Sequence, residues 1–188
     1  MGQSGPVKAD GHPTERIEVI FSPEEIASRI TVLAGEIVKR GRDHLLVVPV
    51  LKGSFVFAAD LIRALHKAGL SPEVDFMTLS SYRKGMVSTG QVAITRDLET
   101  DVKGRNVLII DDILESGRTL AFAKDLIVAR GAKSVETCVL LDKPVKRAAA
   151  IDADIKAFAC PNVFVVGYGM DVANRFRELP YVGRLVRQ

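Results

Sequence analysis

At 188 residues with 47% apolar content, the chain has enough hydrophobic material for one well-packed core, and no break in composition marks a second full domain. A net charge of +3 is too mild for a nucleic-acid stripe, and Arg83-Lys84 and Lys146-Arg147 read as solvated faces. Cys138 and Cys160 make neither a disulfide framework nor a metal quartet, and His12, His44 and His66 lack ligand spacing, so a reducing cytoplasm is the expected setting.

Residues 1–14 are polar and glycine-rich, with no apolar run for a signal peptide or membrane span, and read as a loose arm. Ser22-Pro23-Glu24-Glu25 is a capping box with proline at the first helical position, and it opens a helix that Gly41 ends. The apolar run 45–51 is a buried strand, followed by the turn Lys52-Gly53 and a helix over 54–67. A strand over 73–79 leads into a polar connection at 80–90 and a further strand at 91–95. From Val107 a β-branched run delivers two acids, Asp111 and Asp112, and then Glu115 beside a hydroxyl-and-glycine loop. A helix from Gly117 or Arg118 runs to the stop at Gly131, a strand covers 135–141, and short strands fall at 155–159 and 163–167. Strands alternating with helices in this way predict a parallel α/β core with right-handed crossovers.

The chemistry concentrates at 111–119, because open α/β sheets place ligands at the carboxyl ends of their strands. A helix starting at Gly117 or Arg118 aims free N–H groups and its positive dipole end into the loop. Ser116 and Thr119 add hydroxyls, Gly117 allows close backbone approach, and Arg118 adds charge, which together suit a phosphate monoester. The plainer reading is an ordinary helix cap with dipole-stabilising acids. Three acids beside an anion site favour the first reading, since they cost electrostatic energy unless they hold hydroxyls, a metal ion or a proton in transit.

Asp111 to Thr119 resembles the diphosphate-sugar signature of the type I phosphoribosyltransferases: two acids, two apolar residues, an acid, a hydroxyl residue, glycine, a variable residue and threonine. Three further segments narrow the resemblance to the hypoxanthine-guanine phosphoribosyltransferases: 51–57 (Leu-Lys-Gly-Ser-Phe-Val-Phe), 140–144 (Leu-Leu-Asp-Lys-Pro), and 164–171 (Phe-Val-Val-Gly-Tyr-Gly-Met-Asp) running on to 176–179 (Phe-Arg-Glu-Leu). They follow the family's order over nearly the whole chain.

The resemblance implies a parallel-sheet core of about 40–150 and a small hood built from about 15–40 and 151–188. It implies that Asp111 and Asp112 hold the ribose hydroxyls and lie near magnesium, that Glu115 to Thr119 wrap the 5′-phosphate, and that Glu115 handles the purine N7 proton. Most members carry aspartate at that position; the longer glutamate reaches the same proton if the loop shifts slightly. Lys52 and Gly53, often preceded by a cis peptide in the family, would cradle pyrophosphate together with Arg177. Lys143 would read the 6-oxo group and select against adenine. Phe164 would stack on the base, Val165 would meet its edge, and Asp171 would lie near magnesium. Ser81 and Tyr82 match a pair in the loop that closes over the reacting sugar. Taken alone, Lys52 and Arg177 are ordinary surface cations, Phe164 is core, and Asp171 is a turn residue.

The implied activity is transfer of a 5-phosphoribosyl group from 5-phosphoribosyl 1-diphosphate to hypoxanthine or guanine, with Mg2+, in a cytoplasmic homodimer or homotetramer without nucleic-acid or membrane partners. Two rival classes share parts of the pattern. A regulatory protein of this fold would sense the sugar diphosphate and bind RNA or DNA, leaving the purine features without purpose. A receiver domain would show paired acids at a strand end, leaving the Ser-Gly-Arg-Thr loop without purpose.

Overall fold

The computed structural model describes residues 15–84 and 87–187, with the backbone alone at 15, 81–84, 87–91 and 187. Its elements in chain order are β1 (Glu15–Phe21), α1 (Pro23–Lys39), β2 (Leu45–Leu51), α2 (Phe55–Lys67), β3 (Glu73–Val74), β4 (Met77–Lys84), β5 (Val87–Arg96), β6 (Asn106–Leu114), α3 (Arg118–Ala129), β7 (Ser134–Asp142), β8 (Ile155–Ala159), β9 (Val165–Val166) and β10 (Val182–Arg187). A seven-stranded sheet runs β5-β4-β2-β6-β7-β8, with β3 also on β2, and only β4 with β5 is antiparallel. The expected α/β core is therefore present. A separate antiparallel sheet, β1-β10-β9, joins the two ends of the described chain as the hood.

Alternation along the strands builds two apolar layers, since successive side chains point to opposite faces. Leu45, Val47, Leu108 and Ile110 face α1 and α2, meeting Leu33, Ile37, Phe57 and Leu61. Leu46, Val48, Val107 and Ile109 face the other way, meeting Leu120, Ala123 and Ile127 of α3. Each of these large side chains stabilises by about 1.5–3 kcal/mol through burial. The α1 capping box forms as read: Ser22 Oγ accepts from the Glu25 amide at 3.2 Å, and the Ser22 amide donates to Glu25 Oε2 at 2.8 Å.

Five details differ from the sequence reading. The strand at 155–159, expected in the hood, is β8 and completes the core sheet beside β7; α1, also placed with the hood, packs on the core, its Arg29 donating to the carbonyls of Lys156 (2.7 Å) and Ala157 (2.9 Å). The stretch 73–79 splits at Asp75, whose carboxylate accepts from the amides of Phe76 (2.7 Å), Glu99 and Thr100 (both 2.8 Å) and turns the chain. Strand β6 passes through Asp111 and Asp112 to Leu114, because β7 offers partners at Leu141 and Asp142. The polar connection is shorter than read, as β4 and β5 pair out to Lys84 and Val87. The sequence over 80–90 is polar and carries no period-two apolar pattern, so this pairing leaves no mark in it.

Candidate active site

Asp111 and Asp112 lie in β6 just past its last pairing with β2, at Ile110, while β7 still pairs on the other side. Asp111 is 7% exposed, its Oδ1 accepts from the Asp112 amide at 3.0 Å, and Asp112 Oδ1 accepts from the Ile113 amide at 2.8 Å. Burial, and then the neighbouring Asp112 charge, pushes the Asp111 carboxyl well above the ordinary carboxylate range. Burial also raises Asp112, against the opposing pull of the Ile113 amide and the Arg177 charge. Two crowded, desolvated carboxylates favour a proton, a cation or a set of hydroxyl donors between them.

The other half of the signature is the Ser116-Gly117 loop. Gly117 is the N-cap of α3, with φ of 77° and no side chain of its own to cap that end, and Ser116 Oγ accepts from the Arg118 amide at 3.4 Å. A hydroxyl thus reaches one first-turn amide, as the plain capping reading expects in part, and the helix start still turns its N–H groups and positive dipole end toward the loop, where an anion would sit. A Cβ at Gly117 would lie 2.8 Å from Ile151 Cγ2, so glycine is needed for space as well as conformation. The amides of Ala148 and Ala149 donate to the Ser116 carbonyl at 2.9 and 3.2 Å, fastening this loop to the segment after Lys143. Arg118 is exposed and Thr119 half-buried at the helix start.

Lys143 follows β7 and is buried, with Nζ 3.4 Å from Glu115 Oε2; its side chain is 6% exposed against 54% for Glu115. A cavity of about 430 Å³ brings Lys143 and Glu115 together with Asp112, Phe164, Val165 and Asp171. That volume suits a small aromatic ligand. Phe164 is 55% exposed, which rules out the core reading and leaves a ring face open on the pocket wall, while Val165 is buried in β9. Ile113 and Met170 also line this cavity and were passed over in the sequence, although Ile113, two residues from Asp111, shares its side of the strand.

The peptide between Leu51 and Lys52 is cis, and Lys52 is exposed at the end of β2. Gly53 lies against the carboxylates: a Cβ there would fall 1.7 Å from Asp112 Oδ2. Gly169 lies on its far side, where a Cβ would fall 2.3 Å from the Gly53 carbonyl oxygen. Arg177 is no free surface cation, since it pairs with Asp171 at 2.7 Å and donates to the Gly169 carbonyl at 2.6 Å. Asp171 serves in two ways, lining the pocket and capping a turn by accepting from the Asn174 amide at 2.7 Å. Ser81 and Tyr82 belong to β4 by their backbone, and their side chains lie outside the described residues. No helix among the described residues is long and apolar enough to cross a membrane.

A mostly parallel sheet with twin acids, a glycine-led helix start and a purine-sized hollow at one end defines the class of the phosphoribosyltransferases. Residues 18–173 match the phosphoribosyl transferase domain family. The hypoxanthine phosphoribosyltransferase of Buchnera aphidicola subsp. Schizaphis graminum is 43% identical over 173 residues, covering 90% of this chain and 96% of that one. A crystal structure of the Staphylococcus aureus hypoxanthine phosphoribosyltransferase superposes with a TM-score of 0.83 at 40% identity, covering 90% of this chain and 91% of the other. A hypoxanthine-guanine phosphoribosyltransferase from Bacillus anthracis, solved with HEPES in its active site, gives a TM-score of 0.84 at 37% identity, covering 91% and 100%. The chain belongs to the hypoxanthine-guanine phosphoribosyltransferase family, and is an enzyme of the glycosyltransferase type.

Proposed function

We propose that this chain is a purine salvage enzyme that transfers the 5-phosphoribosyl group of 5-phosphoribosyl 1-diphosphate to hypoxanthine or guanine, releasing pyrophosphate and the nucleotide IMP or GMP. The observation that carries this reading is the buried Lys143 ammonium facing a hollow that the open Phe164 ring also lines, within the same site as twin carboxylates. A cation there attracts a 6-oxo group and opposes a 6-amino group. Relatives named for hypoxanthine transfer support the same substrate.

In this reading Phe164 and Val165 hold the purine, and the Ser116 to Thr119 loop takes the 5′-phosphate on helix-start amides and hydroxyls. Asp111 and Asp112 hold the ribose hydroxyls. Lys52, the Gly53 backbone and Arg177 take the diphosphate, so that base and sugar are fixed in line and charge on the leaving group is countered. Glu115 accepts the purine N7 proton, and its 3.4 Å contact with Lys143 keeps the carboxylate beside the base. Ser81 and Tyr82 belong to the ribbon that closes over the sugar and excludes water.

The donor set also fits magnesium. Among the described residues no three metal-binding side chains cluster as a cage, and Mg2+ uses one or two carboxylates and completes its shell with water and substrate oxygens. One or two of Asp111, Asp112 and Asp171 would hold it, and the ion would supply positive charge against the departing pyrophosphate. Residues 15–188 act as one phosphoribosyltransferase domain, in a cytoplasmic homodimer or homotetramer that sedimentation would identify. Steady-state assays with hypoxanthine, guanine, xanthine and adenine, with and without magnesium, test the proposal. Magnesium-dependent release of pyrophosphate with 6-oxopurines and not with adenine is the expected result; equal use of adenine would refute it.

A further inference from the structure

The two walls of the diphosphate site come from different parts of the fold. Lys52 and Gly53 lead into α2, whereas Asp171 and Arg177 follow the hood strand β9. The walls meet where Gly169 abuts the Gly53 carbonyl. What fixes Gly169 there is a turn in which Gly167, Tyr168 and Gly169 all have positive φ, at 94°, 50° and 100°. Reciprocal bonds between Gly167 and Met170, each 3.1 Å, close it.

An aromatic residue between two glycines in left-handed backbone is unusual, and it persists only where surroundings hold it. Here the Tyr168 amide donates to the Leu179 carbonyl at 2.9 Å, and its side chain is turned inward, leaving the residue 5% exposed. Its hydroxyl donates to Asp60 Oδ2 on α2. Burial, and then the hydrogen bond and charge of Asp60, push the phenol far above its ordinary range, so it stays a donor at any working pH. Asp60 also pairs with Arg63, an exposed residue one turn along the helix. Neither Tyr168 nor Asp60 lines the purine cavity.

We propose that Tyr168 and Asp60 are a positioning pair: their hydrogen bond joins the hood turn to the helix that carries the Lys52-Gly53 loop, and so sets the spacing of the two walls that grip the diphosphate. The inference rests on the functional reading above and adds to it a division of labour. The pair governs capture of the sugar diphosphate and release of pyrophosphate, and bears less on purine binding, because neither side chain lines the purine cavity although Met170 of the same turn does.

Tyr168→Phe removes the donor and keeps the ring. The expected result is a roughly tenfold rise in KM for 5-phosphoribosyl 1-diphosphate and in the dissociation constant of magnesium pyrophosphate measured by calorimetry. KM for hypoxanthine should stay within about twofold, and the melting temperature should change little. Asp60→Ala should reproduce this pattern, Asp60→Asn, whose amide oxygen still accepts, should restore most of the affinity, and the double variant with Tyr168→Phe should be no worse than Asp60→Ala. Parallel rises in both KM values with a falling melting temperature, additive losses in the double variant, or no change in pyrophosphate affinity would each overturn the pairing. A wild-type protein that binds pyrophosphate without transferring the sugar would overturn the functional reading alone; one that does neither would overturn both.

Discussion

Replacing Lys143 by methionine separates the energetic cost of a buried cation from its use. The Lys143 side chain is 6% exposed and that of its partner, Glu115, is 54% exposed, with 3.4 Å between Nζ and Oε2, so the pair is one-sidedly desolvated. An incoming 6-oxo group gives the cation a charge-assisted hydrogen bond, worth about 1.5–3 kcal/mol relative to leaving it unmade. At about 1.4 kcal/mol per decade, that corresponds to roughly a 10- to 150-fold loss of kcat/KM for hypoxanthine and guanine. Methionine fills a similar volume without charge, so the fold should be as stable or slightly more stable. Steady-state kinetics with both 6-oxopurines and adenine, beside thermal melts, measure both effects. Discrimination against adenine should narrow, since the clash with its amino group goes too. Equal losses for adenine and hypoxanthine, or a collapse of the melting temperature, would refute the reasoning and make Lys143 a structural cation.

Glu115→Gln should cut turnover far more than it raises the Michaelis constant, and unchanged turnover in single-turnover kinetics would remove Glu115 from the chemistry. Gly53→Ala places a methyl 1.7 Å from Asp112 Oδ2, so the loop or the carboxylate must move; activity should fall at least about 100-fold, and near-normal kinetics would show that the loop yields freely. Asp75→Asn leaves one of the amides of Phe76, Glu99 and Thr100 facing an NH2 group and should cost about 1–3 kcal/mol in urea unfolding at pH 7. Burial alone would raise the Asp75 carboxyl, but those donors together hold it below its ordinary value. A carboxyl lowered on folding stabilises fully above its unfolded pKa of about 3.9 and loses that contribution as pH falls through the lower folded value. The gap between wild type and Asp75→Asn should therefore shrink below about pH 4; a gap that widens there would show the wrong sign.

The sheet was legible because the middle stretches of β2, β6 and β7 are buried on both faces and so appear as near-continuous apolar runs rich in Val, Ile and Leu. The capping box of α1 and the glycine at the α3 start were legible because each is a local device needing no distant partner. Membership of β8 was not, since five residues of Ile155–Ala159 carry no sign of which sheet will accept their hydrogen bonds. The break at Asp75 was hidden for the same reason: its donors arrive from 24 and 25 residues away. At the site, residue types at 111–119 announced the anion loop, and the motif at 164–171 announced the purine side. Arg177 and Phe164 needed coordinates to be told from surface and core, because an ion pair with Asp171 and an open ring face depend on how the hood is folded back.

One consequence of the contact between Asp112, Gly53 and Gly169 concerns how wide the cleft is allowed to be. A carboxylate, a peptide plane and a second peptide plane rest on one another there with no Cβ between them. Side chains change rotamer in picoseconds to nanoseconds, whereas peptide planes are stiff. Where Asp112, Gly53 and Gly169 touch, the gap between the acids of β6 and the turn beyond β9 therefore has backbone thickness as its lower limit, which rotamer hopping does not blur.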